Sequence, residues 1–410
     1  MKKIFVSFFV MTALVTGLLS CETDDTDDFS KYINNPESSN DDPADDPSGD
    51  DPSGEEKEDS VLLAGSDTIY VVYSGNTATV TGDEKGYVSI SGADVTVNAL
   101  AADTTMLLVL SGSSEDGCLL VYRQKPFTIQ LNGLQLTNPD GPAINNQCGK
   151  ALYIETVEGT ENTLGDGSVY AEAPVNSLGV AIDQKGALFS EGQIFFCGLG
   201  SLTVNGNAKN GIVSDDYIVF EKGTVSVNVA ETGSNGVKVN DGLTIQGGTL
   251  TVKVASDGGR GIKSDAYTTI TGGTTNIITS GDCKLETIDG VRDTASAAGV
   301  KSDSLFTMTG GSLTIKCTGD GGKGINCAQN VEVSGGSLNI TTTGSNDVGK
   351  PKGIKSDTGI IVSGGSFYVS VKKSWACDNG VETEVASARL TVVGEPSTKS
   401  IGKKLVNIKY

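Results

Sequence analysis

Over the second half of the chain, apolar and polar residues alternate in short runs that are interrupted at regular places. Leu250-Thr251-Val252-Lys253-Val254, Leu313-Thr314-Ile315-Lys316-Cys317 and Phe367 to Val371 each set an apolar side chain at every second position. The shorter runs Leu243 to Ile245, Phe306 to Met308, Val331 to Val333 and Ile360 to Val362 do the same. A period of two belongs to a strand with one face buried, not to a helix. Between each short run and the longer run after it stands a glycine pair: Gly247-Gly248, Gly310-Gly311, Gly335-Gly336 and Gly364-Gly365. Paired glycines suit a corner at which φ must turn positive.

A third element completes the unit. Gly-Ile-Lys-Ser-Asp occurs at Gly261–Asp265 and Gly353–Asp357, and Gly-Val-Lys-Ser-Asp at Gly299–Asp303. Looser copies of this phrase open at Gly186, Gly211, Gly236 and Gly324, and the steps between neighbouring copies are mostly about 25 residues. Three short strands joined by tight corners make a triangular coil. Coils stacked at roughly 4.8 Å pair each strand in parallel with its copy above and below. Ile262, Leu250 and Val252 then fall in continuous inward columns, which no single coil could bury alone. The expected fold is all-β, a right-handed parallel β-helix with three sheets.

The rest of the chain divides around this array. Residues 1–20 read as a lipoprotein signal peptide: Lys2 and Lys3, an apolar run over Ile4–Leu19, then Leu18-Leu19-Ser20-Cys21, a lipobox in which Cys21 becomes the acylated first residue. An uncleaved membrane anchor is the alternative, but the stretch is short for spanning. Residues 21–59 form an acidic linker with sixteen acids against Lys31 and Lys57, too poor in apolar side chains to order itself. An acidic run just after an acylated cysteine resembles the surface-export signal of Bacteroidetes-type lipoproteins, which puts the protein on the outer membrane, facing outward. Read plainly it is a solvated spacer. Residues 60–185 are strand-rich but off-period and are expected to be capping coils, with Asn132-Gly133 marking a turn. Residues 186–410 carry the regular coils and a C-terminal cap.

Composition removes several chemistries. The formal net charge of −21 sits mostly in the linker, and no nucleic-acid partner is expected. There is no histidine, which excludes His-based triads, His general bases and zinc sites built on His. Seven cysteines remain beside Cys21, an odd and scattered set unlike a disulfide framework. Cys317 and Cys327 fall on inward positions, in the columns of Val254 and Ser264, and read as small core fillers. The chain is read as a monomer.

Strand alternation turns the phrase into a surface. With Ile262 inward, Lys263 points out, Ser264 in and Asp265 out. Lys238, Lys263, Lys301 and Lys355 are then expected in one outer column, interrupted by Asn326, with Asp265, Asp303 and Asp357 alongside. A lysine ladder alone would repel itself, whereas beside an aspartate ladder it becomes a neutralising lattice that holds coil register. The same flat face could also lie along an acidic polymer, its lysines meeting regularly spaced carboxylates. Arg260, Lys323 and Lys352 stand just before the phrase glycines and are expected to add positive charge at one edge. Asp257, Asp320 and Asp347 recur at the corner before the phrase, and Asp282 opens the longest insertion, residues 282–298, with Glu286, Asp289 and Asp293. Oxygen-only ligands on Gly-rich loops suit Ca²⁺, although Asp-Gly is also an ordinary turn dipeptide. The metal candidates are therefore Asp257, Asp265, Asp282, Asp303, Asp320, Asp347 and Asp357. Trp375, the sole tryptophan, is a candidate sugar platform or the packing lid of the last coils.

Lys125 to Gly133, Glu161-Asn162-Thr163-Leu164 and the Gly-Ile-Lys-Ser-Asp and Gly-Gly coils together resemble the carbohydrate-binding β-helix family typified by a clostridial cellulose- and polygalacturonate-binding protein. The resemblance runs from about Ile69 to Leu390. It implies a right-handed parallel β-helix shared with pectate lyases, bound calcium, and binding of acidic plant-type polysaccharide. Val239 and Cys327 in place of the phrase serine, and Ala328 in place of its aspartate, depart from the pattern in their coils. The expected function is a surface-anchored protein that binds acidic glycans, with a Ca²⁺-dependent lyase or a non-carbohydrate adhesin as alternatives. In a lyase, Arg260, Arg292, Lys263 or Lys301 would be the base, but no one of them stands apart from a repeat ladder.

Overall fold

The computed structural model describes residues 67–393 apart from 177, 289–290, 373, 375, 380–382 and 386–388. Cys21, the signal and linker segments, and Trp375 lie outside the described residues. Among those described there is no helix, and the strands form a parallel β-solenoid of about 11 turns.

One coil shows the plan. Its strands Arg260–Ser264, Thr268–Ile270 and Thr274–Thr279 each pair in parallel with the next coil, setting Ile262 beside Val300, Ile270 beside Met308 and Ile277 beside Ile315. The phrase strands build a 12-stranded sheet, and the other two ladders join into a 22-stranded one. The joint is the long strand Phe127–Asn138, whose first half pairs with Leu152–Thr156 and whose second half pairs with Glu161–Asp166. Asn132-Gly133 is therefore not a hairpin turn. Leu131 pairs with Leu110 and Leu134 with Gly112, so two residues oppose one, and Gly133 takes φ +72 at the resulting bulge.

The inward columns are those read from the sequence. Ile262, Leu250 and Val252 are buried. Cys317 continues the column Val254–Thr279, and Cys327 that of Ser264–Ser302. Both thiols are buried, and all seven cysteines among the described residues are free.

The glycines of the phrase have a packing reason. A Cβ on Gly211, Gly236, Gly299, Gly324 or Gly353 would collide with the side chain of Val227, Val252, Ile315, Ile340 or Val369 respectively. The offset is 16 positions in every coil (211 to 227), so the same branched residue always faces the phrase glycine from the coil's third strand. The glycine pairs divide their labour. Gly273 takes φ +69 at its corner, while a Cβ on Gly272 would meet the carbonyl oxygen of Gln246 in the coil below at 2.1 Å.

Gly186 does not open a phrase in register. It pairs with Asn210, while Leu188 pairs with Ile212 and Ser190 with Ser214, which leaves Ala187 beside Gly211. Register follows the inward residues, because a slip of one would turn Leu188 to solvent. At the start of the array, Asp67–Ser74 pairs antiparallel with Thr77–Thr81, and Val88–Ser91 with Asp94–Ala99, before parallel growth begins. Hairpin partners of this kind occupy strand edges that would otherwise invite another chain. Residues 282–298, the insertion, carry the antiparallel pair Lys284–Ile288 and Val291–Ala295.

Candidate functional site

The outer face of the phrase sheet carries the charged lattice. Lys238, Lys263, Lys301, Asn326 and Lys355 stand in one column, rung by rung, with the asparagine where the sequence puts it. Each phrase lysine turns onto the aspartate two residues ahead: Lys263 onto Asp265, Lys301 onto Asp303, and Lys355 onto Asp357 at 2.6 Å. The lattice is also stitched between coils, since Lys238 lies 3.4 Å from Asp265 Oδ2 and donates to Asn240 Oδ1 at 3.1 Å. Burial works to raise the Asp265 carboxyl, but the Lys263 and Lys238 ammonium groups outweigh it and hold the group below the usual range. Toward the N-terminal end, Lys185 bridges Asp183 and Asp215, and Asn240 reaches Asp215 at 3.4 Å.

The expected positive edge does not form as read. Lys323 and Lys352 share a column with Arg260 and Ala298, but they are buried, at 9% and 5% exposure. Lys323 donates to the Ser296 hydroxyl at the end of the insertion, and Lys352 pairs with Asp378. Both stand two residues before an inward isoleucine, Ile325 and Ile354, on the inner side of the alternation. Burial pushes the Lys323 ammonium down, with Lys355, Lys352 and Arg260 adding to the effect. Arg260 is half-buried.

The metal candidates separate into two groups. Asp265, Asp303 and Asp357 already hold a lysine ammonium each, so a second cation has to compete for them. Asp257, Asp282 and Asp320 form a corner column of their own. Asp257 Oδ1 accepts from the Asp282 amide at 2.9 Å, Asp282 Oδ1 from Asp320 at 2.7 Å, and Asp320 Oδ1 from Ser345 at 2.7 Å. Asp347 accepts from the Ser345 hydroxyl at the end of this column, at 2.7 Å. These carboxylates pin corner to corner with one oxygen, and a carboxylate has lone pairs to spare. Asp257 and Asp282 also line a cavity of about 620 Å³ together with Glu231, Thr232 and Ser280. The side-chain donors of these five are all oxygens, which suit a hard cation such as Ca²⁺, and Lys284 lines the same cavity.

Three features escaped the sequence reading. Asp183, Glu191 and Asp215 bring carboxylate oxygens within 4.8 Å of one another, with the Lys185 ammonium bound to two of the three. Burial, Asp215 and Asp183 push the Glu191 carboxyl up. Outward on the second ladder, Tyr153 stacks on Phe195 at 5.0 Å, and Phe195 meets Tyr217 edge-on at 5.7 Å. Beside that cluster Glu155 and Glu221 flank Cys197, whose thiol is pushed up to about 12 by burial and by these two acids. Each set draws on residues of more than one coil, which only stacking brings together.

A family model described as carbohydrate-binding domain-containing protein matches residues 91–266 and 256–343. The chain belongs to this carbohydrate-binding family. A carbohydrate-binding domain-containing protein of Acetivibrio thermocellus is 28% identical over 140 residues, 33% of this chain and 47% of its own length. The chain thus matches about half of that relative. The solved polysaccharide lyase-like protein from C. thermocellum, a gadolinium derivative, superposes with a TM-score of 0.51 at 23% identity. That superposition covers 69% of this chain and 99% of the other, and it establishes the shared fold. The carbohydrate-binding family match spans the phrase coils opening at Gly211, Gly236, Gly261, Gly299 and Gly324, and with them most of the lattice.

Proposed function

We propose that this carbohydrate-binding protein holds an extended, uronate-bearing polysaccharide along the outer face of the phrase sheet. The observation that carries the reading is the lysine column, which runs rung by rung through Lys238, Lys263 and Lys301 and resumes at Lys355 after Asn326. Each ammonium has three donors, and partly exposed ion pairs of this kind contribute about 0–1 kcal/mol each. A sugar carboxylate can therefore share or replace an aspartate at little cost, with Arg260 at the margin of the same sheet. Asp257 and Asp282, with Glu231, are the residues proposed to hold Ca²⁺, which when bound would supply positive charge toward the carboxylates of the glycan. Acylation at Cys21 would tether the protein to the outer membrane, with the acidic segment carrying the coils outward. Binding is favoured over turnover because Lys263 and Lys301 are tied into ion pairs, while Lys323, whose ammonium is pushed down by burial, is itself buried against Ser296 of the insertion.

The test is affinity electrophoresis of the protein in gels containing polygalacturonate or a neutral glucan, with and without chelator. Retardation by polygalacturonate that weakens on chelation and returns with Ca²⁺ is the expected result. Equal mobility in the presence and absence of polygalacturonate overturns the acidic-glycan reading, and formation of unsaturated product would replace binding by lyase action.

A further inference from the structure

Between strands Glu161–Asp166 and Gly186–Ser190 the chain leaves the coil for residues 167–185. Long excursions from a repeating scaffold are where binding groups tend to be placed. This one lines, with Ala208 and Lys209 of the next coil, an open cleft of about 650 Å³. That volume lies in the range of pockets for small organic ligands. Its walls are mixed: Tyr170, Ala173 and Ile182 are apolar surface, while Asp183, Lys185 and Lys209 are charged.

The aromatic wall is anchored from behind. The Tyr170 hydroxyl donates to Asp166 Oδ2 at 2.6 Å, and the same carboxylate, 2% exposed, accepts from the Asn207 amide at 2.5 Å. Burial raises the Asp166 carboxyl, and the Tyr170 and Asn207 donors oppose it. The Tyr170 ring is thereby held with the Lys209 ammonium 4.9 Å from its centroid. Lys209 also donates to the Gln184 carbonyl at 2.6 Å. An ammonium over a partly exposed ring contributes only about 0.5–1 kcal/mol, and the four-carbon stem of lysine lets it swing to another acceptor. Asp183 lines the same cleft with half its side chain exposed. Lys185 ties the cleft to the lattice, since its other partner, Asp215, lies at the head of the Asn240 and Asp265 column.

A ring face, a flexible donor and an exposed acceptor around one cavity are what a pyranose needs: an apolar face of C–H groups and a rim of hydroxyls. We propose that the cleft lined by Tyr170, Ala173, Ile182, Asp183, Lys185 and Lys209 is a saccharide subsite at the N-terminal end of the lysine–aspartate face. It takes one pyranose residue of the chain lying on that face, with Tyr170 stacking, Lys209 donating to ring or hydroxyl oxygens, and Asp183 accepting from a hydroxyl. The inference rests on the polysaccharide-binding reading and adds a second, aromatic point of attachment to it.

The experiment compares full-length protein with Tyr170→Ala and Tyr170→Phe in gels containing polygalacturonate or hydroxyethyl cellulose. Tyr170→Ala is expected to weaken retardation about tenfold in whichever gel retards the parent, the usual scale for losing a stacking ring. Tyr170→Phe keeps the ring, loses only the bond to Asp166, and is expected to bind like the parent. Parent-like binding by Tyr170→Ala overturns the subsite while leaving the function reading intact. Equal losses in the Ala and Phe variants also overturn it, because the role would then run through Asp166 and be structural. No retardation of the parent in either gel removes the function reading and the subsite together. If Tyr170→Ala does not fold, Lys209→Ala, which leaves the Asp166 anchor whole, takes its place. A tenfold loss supports the subsite and no loss overturns it.

Discussion

A Cβ added to Gly261 would lie 2.2 Å from Cγ2 of Ile277, across the interior of the same coil. It would also lie 2.6 Å from the carbonyl oxygen of Gly299 in the next coil. Gly261→Ala is therefore expected to destabilise the array by about 1–3 kcal/mol, the usual range for overpacking, or more where backbone must move. Ile277→Ala costs about 2–5 kcal/mol by itself, so the double variant should lose less than the sum of the two single changes, with the carbonyl clash remaining. Urea midpoints of the single and double variants check this, and an unchanged midpoint for Gly261→Ala would contradict the packing.

Thr275 makes the opposite case. It stands in the inward column between Leu250 and Leu313, and its hydroxyl is buried without a partner. A buried hydroxyl left unpaired costs about 1–3 kcal/mol, so the isosteric Thr275→Val is expected to raise the thermal midpoint. A fall in the midpoint would show that the hydroxyl has a partner.

Glu221 gives a pH-dependent prediction. Burial pushes its carboxyl above the ordinary value of 4.5, with Lys222 working against the shift. The ionised form is thus penalised in the folded protein. That penalty is complete above the folded pKa and gone below 4.5, where the unfolded chain is protonated as well. Glu221→Gln should raise the melting temperature at neutral pH, and the advantage should disappear below about pH 4.5. An advantage that persists unchanged into acid would contradict the assignment.

The corner column separates a structural role from a metal role. Asn in place of Asp282 keeps an oxygen to accept the Asp320 amide and loses the charge. Asp282→Asn is expected to melt close to the parent in chelator, whereas Asp282→Ala should lose about 1 kcal/mol. Calcium should raise the melting temperature of the parent and not of Asp282→Asn. Thermal melts with chelator and with added Ca²⁺ decide it, and equal calcium shifts in both proteins would remove the ion from this corner.

Much of the architecture was legible because a solenoid turns sequence period into spatial adjacency. The column Lys238, Lys263, Lys301, Asn326, Lys355 and the inward Cys317 and Cys327 follow from parity and period alone. Parity failed at Gly186, where the inward pair Leu188 and Ser190 sets the register and the glycine itself does not. For Lys323 and Lys352 parity was not the guide: each stands two residues before an inward isoleucine, Ile325 or Ile354, and is buried with it, and only their charge suggested an exposed edge. The stack of Tyr153 on Phe195 and the cavity beside Tyr170 were invisible for a different reason. Their members come from different strands or from a loop outside the repeat.

The binding face can be tested by changing its two charged columns separately. Lys263, Lys301 and Lys355 replaced together by Ala should weaken retardation by polygalacturonate about tenfold or more. Asp265, Asp303 and Asp357 replaced together by Asn should strengthen it, since the lysines lose their competing partners. Affinity electrophoresis of the two triple variants beside the parent is the most direct measurement. Shifts of opposite sign are the result this account predicts, and two folded variants that migrate like the parent would contradict it.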